Sequence, residues 1–279
     1  MWPARLFFQD TVGGECVKRV VMVCLGILFL GMTGILAGRM SRLKGEEQGF
    51  REISERVQQK RQNCGNSLVC QDEEDDFERS VLPEYQELIL ENPNFAGWIS
   101  IVDTRIDYPV MHTPGDLDYY LHRDFYGADS YSGTPFIGQG SLDPRSRNVI
   151  LYGHHMRNGS MFSDLMKYRK KEFWETHRFL RFDTLYERQE YEIFAVCYGT
   201  GTESADDSLW IYRYVNGSDE EYKTYVNQLK EAAFYETGVE LEGTPLLLLV
   251  TCSYQEADGR LIVAAQQIKE LLIKNNELS

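Results

Sequence analysis

The first strong hydrophobic feature of the chain is an uncharged run near its start. Residues 20–38 read VVMVCLGILFLGMTGILAG, 19 residues without a charge. A helix of about 20 apolar residues is needed to cross the hydrocarbon core of a bilayer. No small-residue cleavage site follows the run, so it predicts an uncleaved signal anchor and not a removed signal peptide. A buried core helix is the alternative, but such a helix usually keeps polar residues on one face.

Two polar segments with helical character follow this run. Residues 41–63 are rich in charge, and residues 71–92 place apolar side chains at helical spacing. Both segments are predicted to be helices, interrupted around 64–70. The acidic run at 72–76 is interpreted as a solvated surface. Calcium binding is the alternative, but the run lacks the loop glycine and the distal glutamate of an EF-hand.

From residue 97 onward the pattern changes to short apolar runs with turn residues between them. Eight runs are predicted to be strands: GWISI, IDYPVM, TPFIG, NVILYG, RFLRFDTL, EYEIFAVCY, TPLLLLVTC and RLIVAAQQI. Many short strands of this kind favour a barrel or a sandwich. Two helical insertions are predicted among them, at 160–176 and at 219–236, and Ser218 is placed to cap the second helix.

Composition and charge narrow the function without assigning it. The 279 residues provide one ordinary domain plus an anchor. The formal net charge of −14 argues against nucleic-acid binding through phosphate contacts. The six cysteines form no C-x-x-C pair, so neither a zinc site nor a disulfide framework is predicted. A bridge between Cys64 and Cys70 requires a domain outside the cell, and unpaired thiols are favoured.

The thiol of Cys252 stands at the end of a predicted strand. An apolar run at 246–250 precedes it, and a polar turn separates it from Arg260, which opens the next strand. A lone cysteine after an apolar run is usually a small buried residue, and Cys197 inside EIFAVCYG is interpreted as lying in the core or on the sheet surface. The strand end and the arginine across the turn favour instead a reactive group that a rigid sheet presents to solvent.

A second predicted strand ends in two adjacent histidines. The run NVILYG delivers His154 and His155 to the start of a loop. A thiol with an imidazole beside it is the minimum for nucleophilic catalysis by cysteine near neutral pH. Because neighbouring side chains of an extended chain point to opposite faces, only one of the two histidines is expected to face the thiol. Chemistry alone does not choose between them.

These motifs resemble the sortase family, and within it the class B group. Sortases share a T-L-x-T-C strand end, an arginine shortly after it and a G-H motif on another strand. Here they correspond to LVTC at 249–252, Arg260 and YGHHM at 152–156. The resemblance covers about 94–268, and the helical insertion before the cysteine strand is also typical of class B. One position departs from the pattern, since Leu248 stands where the family has its first threonine.

The resemblance implies a mainly β fold, a closed barrel of about eight strands. N-terminal helices and one transmembrane helix precede the barrel, and a helical insertion precedes the cysteine strand. The predicted organisation is a cytoplasmic N-terminus at 1–19, a transmembrane signal anchor at 20–38, a helical linker region at 39–93 and a catalytic domain at 94–279. This divides the chain into one anchor and one catalytic core.

The resemblance also implies the activity of a cysteine transpeptidase. Cys252 is the implied nucleophile, His154 the general acid and base, and Arg260 the group that stabilises the substrate carbonyl or the oxyanion. An ion pair with Asp258 or Glu256 is the alternative for Arg260. Neither a metal nor an organic cofactor is expected. Three neighbours are predicted to contact substrate, with packing as the alternative for the first: Tyr152, Thr251 and His155.

The implied partners lie outside a Gram-positive cell. They are the sorting signal near the C-terminus of a secreted protein, cleaved after threonine, and an amine of a peptidoglycan precursor or a pilin. This places the N-terminus inside and the catalytic domain outside, which the flanking charges do not decide. Two alternatives remain open: a cysteine endopeptidase that releases its acyl-enzyme to water, and a catalytically silent surface-binding module. A nucleic-acid partner is not expected.

Overall fold

A computed structural model describes residues 12–66, 80–139, 146–200, 214, 217–252 and 259–268 of the chain. The chain divides into two compact units, Met1–Gly45 and Glu46–Ser279. Helix α1, Val12–Asn66, runs through both. Its residues 20–38 are exposed, and it is the one candidate membrane span in the described part of the chain. The predicted anchor therefore lies in a helix that is long enough to span, while the predicted domain boundaries stay predictions.

Eight strands of the second unit close into a barrel, as predicted. They are β1 (Phe95–Ser100), β2 (Asp107–Met111), β3 (Phe136–Gln139), β4 (Asn148–Tyr152), β5 (Phe179–Thr184), β6 (Glu190–Thr200), β7 (Leu246–Cys252) and β8 (Gly259–Gln267). Their order around the barrel is β1-β2-β3-β4-β7-β8-β6-β5. The pairs β2/β3 and β4/β7 are parallel, and the other pairs are antiparallel.

The helices of the second unit are short apart from its part of α1. The predicted insertion at 160–176 is confirmed in place, although it begins as a 3₁₀ helix. In the predicted helix at 71–92 only the last turns are helical among the described residues, because a turn that contains Pro83 precedes them. The elements are α2 (Gln86–Glu91), η1 (Tyr119–His122), η2 (Phe162–Arg169), α3 (Lys171–Thr176) and α4 (Asp219–Glu231), where η denotes a 3₁₀ helix.

Helix α4 begins as predicted and ends earlier. The Ser218 hydroxyl accepts the N–H of Glu221, and the Glu221 carboxylate accepts the N–H of Ser218, so the predicted cap is confirmed as a capping box. The predicted end at 236 is wrong, since the helix stops at Glu231. The reason is a competing bond: the N–H of Phe234 donates to the Val196 carbonyl of β6 at 2.8 Å, which draws the chain onto the barrel.

The cysteine strand is the most buried part of the barrel. Strand β7 pairs with β4 on one side and β8 on the other, and every side chain from Leu246 to Val250 is fully buried. Helix η2 packs against β7 and β8. A strand covered on both faces needs a continuous apolar run and not an alternating one. The burial of β7 thus fixes the position of the strand end at Cys252.

Buried polar groups fasten the second-unit part of α1 to the barrel. Asp183 of β5 is fully buried, and it accepts hydrogen bonds from the Tyr85 hydroxyl at 2.8 Å and from Nη2 of Arg61 at 2.6 Å. Burial raises the pKa of Asp183, and the nearby Arg61 opposes that rise. A buried carboxylate of this kind depends on its cationic partner.

The substitution Arg61→Met should therefore lower the free energy of unfolding by about 3–5 kcal/mol, because it leaves a buried carboxylate without its cation. Without Arg61 the pKa of Asp183 rises further. The deficit should then be larger at pH 7 than at pH 4, where the carboxyl takes up a proton in the folded state.

Urea denaturation of the full chain in detergent measures this loss. The matched control is Lys60→Met, which removes an exposed ion pair with Glu87 and should change stability little. Equal stability of Arg61→Met and Lys60→Met at pH 7 would contradict the buried ion pair.

Candidate active site

Three strand ends meet at one edge of the barrel. In the parallel ladder of β4 and β7, Tyr152 lies opposite Val250, so the same register continued by two residues places His154 beside Cys252. In the antiparallel ladder of β7 and β8, Cys252 lies directly opposite Arg260. Neighbouring strands are about 4.8 Å apart. Cys252 and Arg260 are thus paired on β7 and β8, and His154 follows two residues after the end of β4 on the other side of β7. These three residues are called the row below.

Two hydrogen bonds connect Gly153, which follows β4, to β7 beyond the last paired residues of these strands. The N–H of Gly153 donates to the Val250 carbonyl at 3.2 Å, and the Thr251 hydroxyl donates to the Gly153 carbonyl at 2.7 Å. Thr251 is only 1% exposed. Its side chain therefore acts on the site through the backbone before His154, and a direct contact with substrate stays a prediction.

Gly153 has a steric reason to be glycine. A Cβ at this position would lie 2.6 Å from the Phe162 ring, closer than real Cβ atoms approach other atoms. The N–H of Phe162 also donates to the His154 carbonyl at 3.0 Å. The absent side chain lets η2 begin directly against the histidine, which explains the G-H motif as a packing requirement.

Helix η1 holds the other side of the His154 ring. Nε2 lies 2.8 Å from the Leu121 carbonyl oxygen, and the ring stacks on His122 with centroids 5.4 Å apart. Because a carbonyl oxygen only accepts, Nε2 carries the proton, and Nδ1 of the neutral ring keeps its lone pair.

The electrostatics of His154 follow from these contacts. Burial lowers its pKa, the bond to Leu121 opposes this, and His122 adds to the lowering. The imidazole is therefore neutral near pH 7. A neutral ring with a lone pair on Nδ1 can take a proton from a thiol.

The two barrel thiols, Cys197 and Cys252, differ in how deeply they are buried. Cys197 in β6 is fully buried, as predicted, and burial raises the pKa of its thiol to about 12. Cys252 is half-buried at its strand end. Since the thiolate is the nucleophile, Cys197 is unsuited to attack and Cys252 is the candidate. The side chains of Cys64 and Cys70 lie outside the described residues, as does the acidic run at 72–76.

Tyr152 and His155 border the row. Tyr152 is half-buried and stacks on Phe136 at a centroid distance of 5.8 Å, in space that a Cβ at Gly138 would fill. His155 is half-buried, and its backbone forms an isolated bridge with Met161. The ring of Tyr152 thus has the packing role that was the alternative for it, and substrate contact by both residues stays a prediction.

Arg260 is half-buried at the start of β8. Its Nη1 donates to the Gly259 carbonyl at 3.3 Å, and its position opposite the thiol fits a donor for an oxyanion. Its alternative ion-pair partners, Glu256 and Asp258, lie outside the described residues. Across the described residues, no three His, Cys, Asp or Glu side chains are grouped to hold a metal.

The contacts from η1 have no counterpart in the sequence motifs. His122 is one of five histidines, so a search of all titratable residues is the one signal that includes it. The Leu121 carbonyl has no sequence signal at all, because any residue supplies a backbone carbonyl. Sequence reasoning predicts three catalytic residues but misses the backbone carbonyl that contacts the histidine ring.

Comparison with known proteins finds a matching family and related solved structures. Residues 99–268 match the family described as the Sortase domain. Sortase B of Listeria monocytogenes serovar 1/2a is 30% identical over 195 residues, 67% of this chain and 75% of that protein. Solved sortase B from B. anthracis in complex with AAEK1 has a TM-score of 0.66 at 28% identity, covering 83% of this chain and 100% of that one. A sortase B complexed with triglycine has a TM-score of 0.67 at 25% identity, covering 81% and 99%.

The lowered pKa of His154 is directly measurable. In the folded chain the imidazole should titrate below the ordinary value of about 6.5, and its neutral form should carry the proton on Nε2. Nuclear magnetic resonance of histidine-labelled chain, assigned with His154→Gln, gives both the titration midpoint and the tautomer. A midpoint above 6.5, or a neutral ring protonated on Nδ1, would contradict the contacts with η1.

Proposed function

This chain belongs to the sortase family, within it to class B, and is therefore a cysteine transpeptidase, and we propose that it cleaves a C-terminal sorting motif of secreted proteins after threonine. The acyl group passes to an amine of a peptidoglycan precursor or of a pilin. The observation that carries the proposal is the pairing of Cys252 with Arg260 across β7 and β8, with β4 leading toward His154 on the other side of β7. This arrangement supports Cys252 as nucleophile, His154 as acid–base group and Arg260 as anion donor.

Acylation begins with proton transfer within the row. The Cys252 thiol gives its proton to Nδ1 of His154, because Nε2 is already protonated and bound to Leu121. The thiolate sulfur then forms a bond to the threonine carbonyl carbon, and the carbonyl electron pair moves to oxygen. The tetrahedral intermediate collapses as the C–N bond breaks. The proton on Nδ1 goes to the departing amide nitrogen, which leaves a thioester on Cys252 and a neutral imidazole.

We assign Arg260 the role of stabilising the negatively charged tetrahedral intermediate. Its guanidinium is a cation that offers several N–H donors in one plane. It therefore donates to the oxygen that becomes negative when Cys252 attacks. The direct register between the two residues supports this role.

Resolution of the thioester reverses the proton path. The incoming amine attacks the thioester carbonyl, Nδ1 of His154 takes the proton that the amine loses, and the Cys252 sulfur leaves and recovers that proton. A solved sortase B is complexed with triglycine, which supports a glycine amine as a suitable acceptor to test. The neutral imidazole favoured by burial is the form that this step requires.

The anchor fits the same function. Helix α1 is a candidate span near the N-terminus, and both proposed partners lie outside the membrane. We place the N-terminus in the cytoplasm and the catalytic unit outside. Accessibility of Cys252 to a membrane-impermeant thiol reagent on intact cells tests this orientation.

Transfer to an amine distinguishes the proposal from simple peptide hydrolysis. The full chain in detergent, given sorting peptides of the N-P-x-T type and triglycine, should form the peptide–triglycine product, and Cys252→Ala should form none. Mass spectrometry of the products makes the measurement. Cleavage that yields only the free acid at saturating triglycine indicates an endopeptidase. A wild-type chain that never reacts with peptides or thiol reagents indicates a silent binding module.

The roles of Arg260 and His154 are tested by matched substitutions. Arg260→Lys should lose about 10²–10³-fold in kcat although the positive charge is kept, because an ammonium does not reproduce the planar donors. His154→Ala should abolish transfer and His155→Ala should keep it. Near-normal turnover by Arg260→Lys would exclude the oxyanion role, and the reverse ranking of the histidines would exclude His154.

A further inference from the structure

The support of His154 extends through η1 to a neighbouring loop. Three consecutive backbone carbonyls of η1, those of Tyr120, Leu121 and His122, accept hydrogen bonds from outside the helix. The Leu121 carbonyl in the middle accepts from His154. The carbonyls on either side accept from the loop at 130–134, Tyr120 from Thr134 and His122 from Ser130, each at 3.0 Å. The loop thus binds the carbonyls of Tyr120 and His122, which lie on either side of the Leu121 carbonyl that contacts His154.

Gly133 brings this loop into close contact with that carbonyl. Its φ of +61° lies in the left-handed region, where glycine is favoured. A Cβ there would lie 2.3 Å from the Leu121 oxygen. The position of the loop therefore determines directly where the Leu121 carbonyl lies.

The loop is held in turn by a carboxylate of α1. Oε1 of Glu46 accepts the N–H of Tyr131 at 2.9 Å, and Oε2 accepts the N–H of Ser132 at 3.1 Å. Two adjacent amides on one carboxylate form charge-assisted bonds, about twice as strong as neutral ones. Ser130, Ser132 and Thr134 are buried, whereas Tyr131 is 73% exposed. Glu46 therefore adds an attachment at the exposed residue of an otherwise packed loop.

From this chain of contacts we infer that Glu46 is a positioning residue for His154. Glu46 holds the loop at 130–134, the loop holds η1, and η1 holds the imidazole through the Leu121 carbonyl. The second-unit part of helix α1 thereby takes part in aligning the catalytic histidine. The inference deepens the proposed function and rests on it for its kinetic consequence.

The surroundings of His154 set the sign of the expected change in its pKa. The recorded contacts of the ring are with His122 and the Leu121 carbonyl on η1, and the titratable groups on the neighbouring strands are Cys252 and Arg260. Burial is the largest influence on the pKa of His154. A loosened loop admits water, so the pKa of His154 should rise toward its ordinary value, whereas loss of the Leu121 bond alone has the smaller, opposite effect.

The test compares Glu46→Ala and Glu46→Gln in the full chain in detergent. Glu46→Ala should lower kcat for transfer to triglycine by about 10- to 100-fold, the cost of misplacing a catalytic group by about 1 Å. KM should change little, and the titration midpoint of His154 should rise. Glu46→Gln keeps the shape and one acceptor oxygen, so it should show a smaller shift in the same direction. Thermal unfolding of each variant is recorded alongside.

Glu55→Ala is the matched control, an exposed glutamate on the same helix. It should leave kcat and the His154 midpoint unchanged. If Glu46→Ala does not fold, kcat and the His154 titration midpoint of Glu46→Gln test the inference instead. A folded Glu46 variant with wild-type kcat and midpoint overturns the inference, even if its thermal stability is reduced. If the wild-type chain forms no triglycine product, the proposed function fails, while the midpoint still reports whether Glu46 positions His154.

Discussion

The parallel pairing of β4 with β7 is the contact through which the fold determines the site. Parallel neighbours end at the same edge of a sheet, so this pairing brings the strand that leads to His154 alongside the strand that ends in Cys252. A slip by one residue would turn every side chain of β7 to the other face. The five fully buried residues from Leu246 to Val250 hold β7 in the core, since each large apolar side chain gains about 1.5–3 kcal/mol from burial. The register itself is marked by the end of the strand, where the buried Thr251 hydroxyl donates to the Gly153 carbonyl and Cys252 pairs with Arg260.

The histidine depends on a different kind of force. It lies beyond the end of its ladder, where hydrogen bonds from Thr251 and to Leu121 take over from strand pairing. Such bonds are individually worth about 1 kcal/mol, far less than the packing of β7. Cys252 is therefore held by the packing of β7, whereas the position of His154 depends on weaker hydrogen bonds. The same contacts bury the imidazole, and that burial keeps the ring neutral and ready to accept a proton.

The eight strands could be predicted from the sequence, and so could the strand ends at which the three candidate residues lie, because both follow from local sequence patterns. Apolar runs mark strands, and Cys252, His154 and Arg260 follow or open such runs. The end of α4 could not be predicted, because the bond from Phe234 to Val196 joins residues far apart in the chain. The Leu121 carbonyl and the carboxylate of Glu46 were missed for the same reason. A backbone acceptor has no side-chain signature, and a glutamate on a polar helix resembles every other solvated glutamate.

The central claim is that Cys252, held by β7 beside His154, forms a covalent acyl-enzyme. Intact-protein mass spectrometry after brief mixing with a sorting peptide, in the absence of an amine, tests this most directly. The account predicts a mass increase equal to the peptide fragment that ends in threonine, located on Cys252 by digestion, stable until triglycine is added and absent in Cys252→Ala. Product formed at the wild-type rate without any adduct, or an adduct on another residue, would contradict the account.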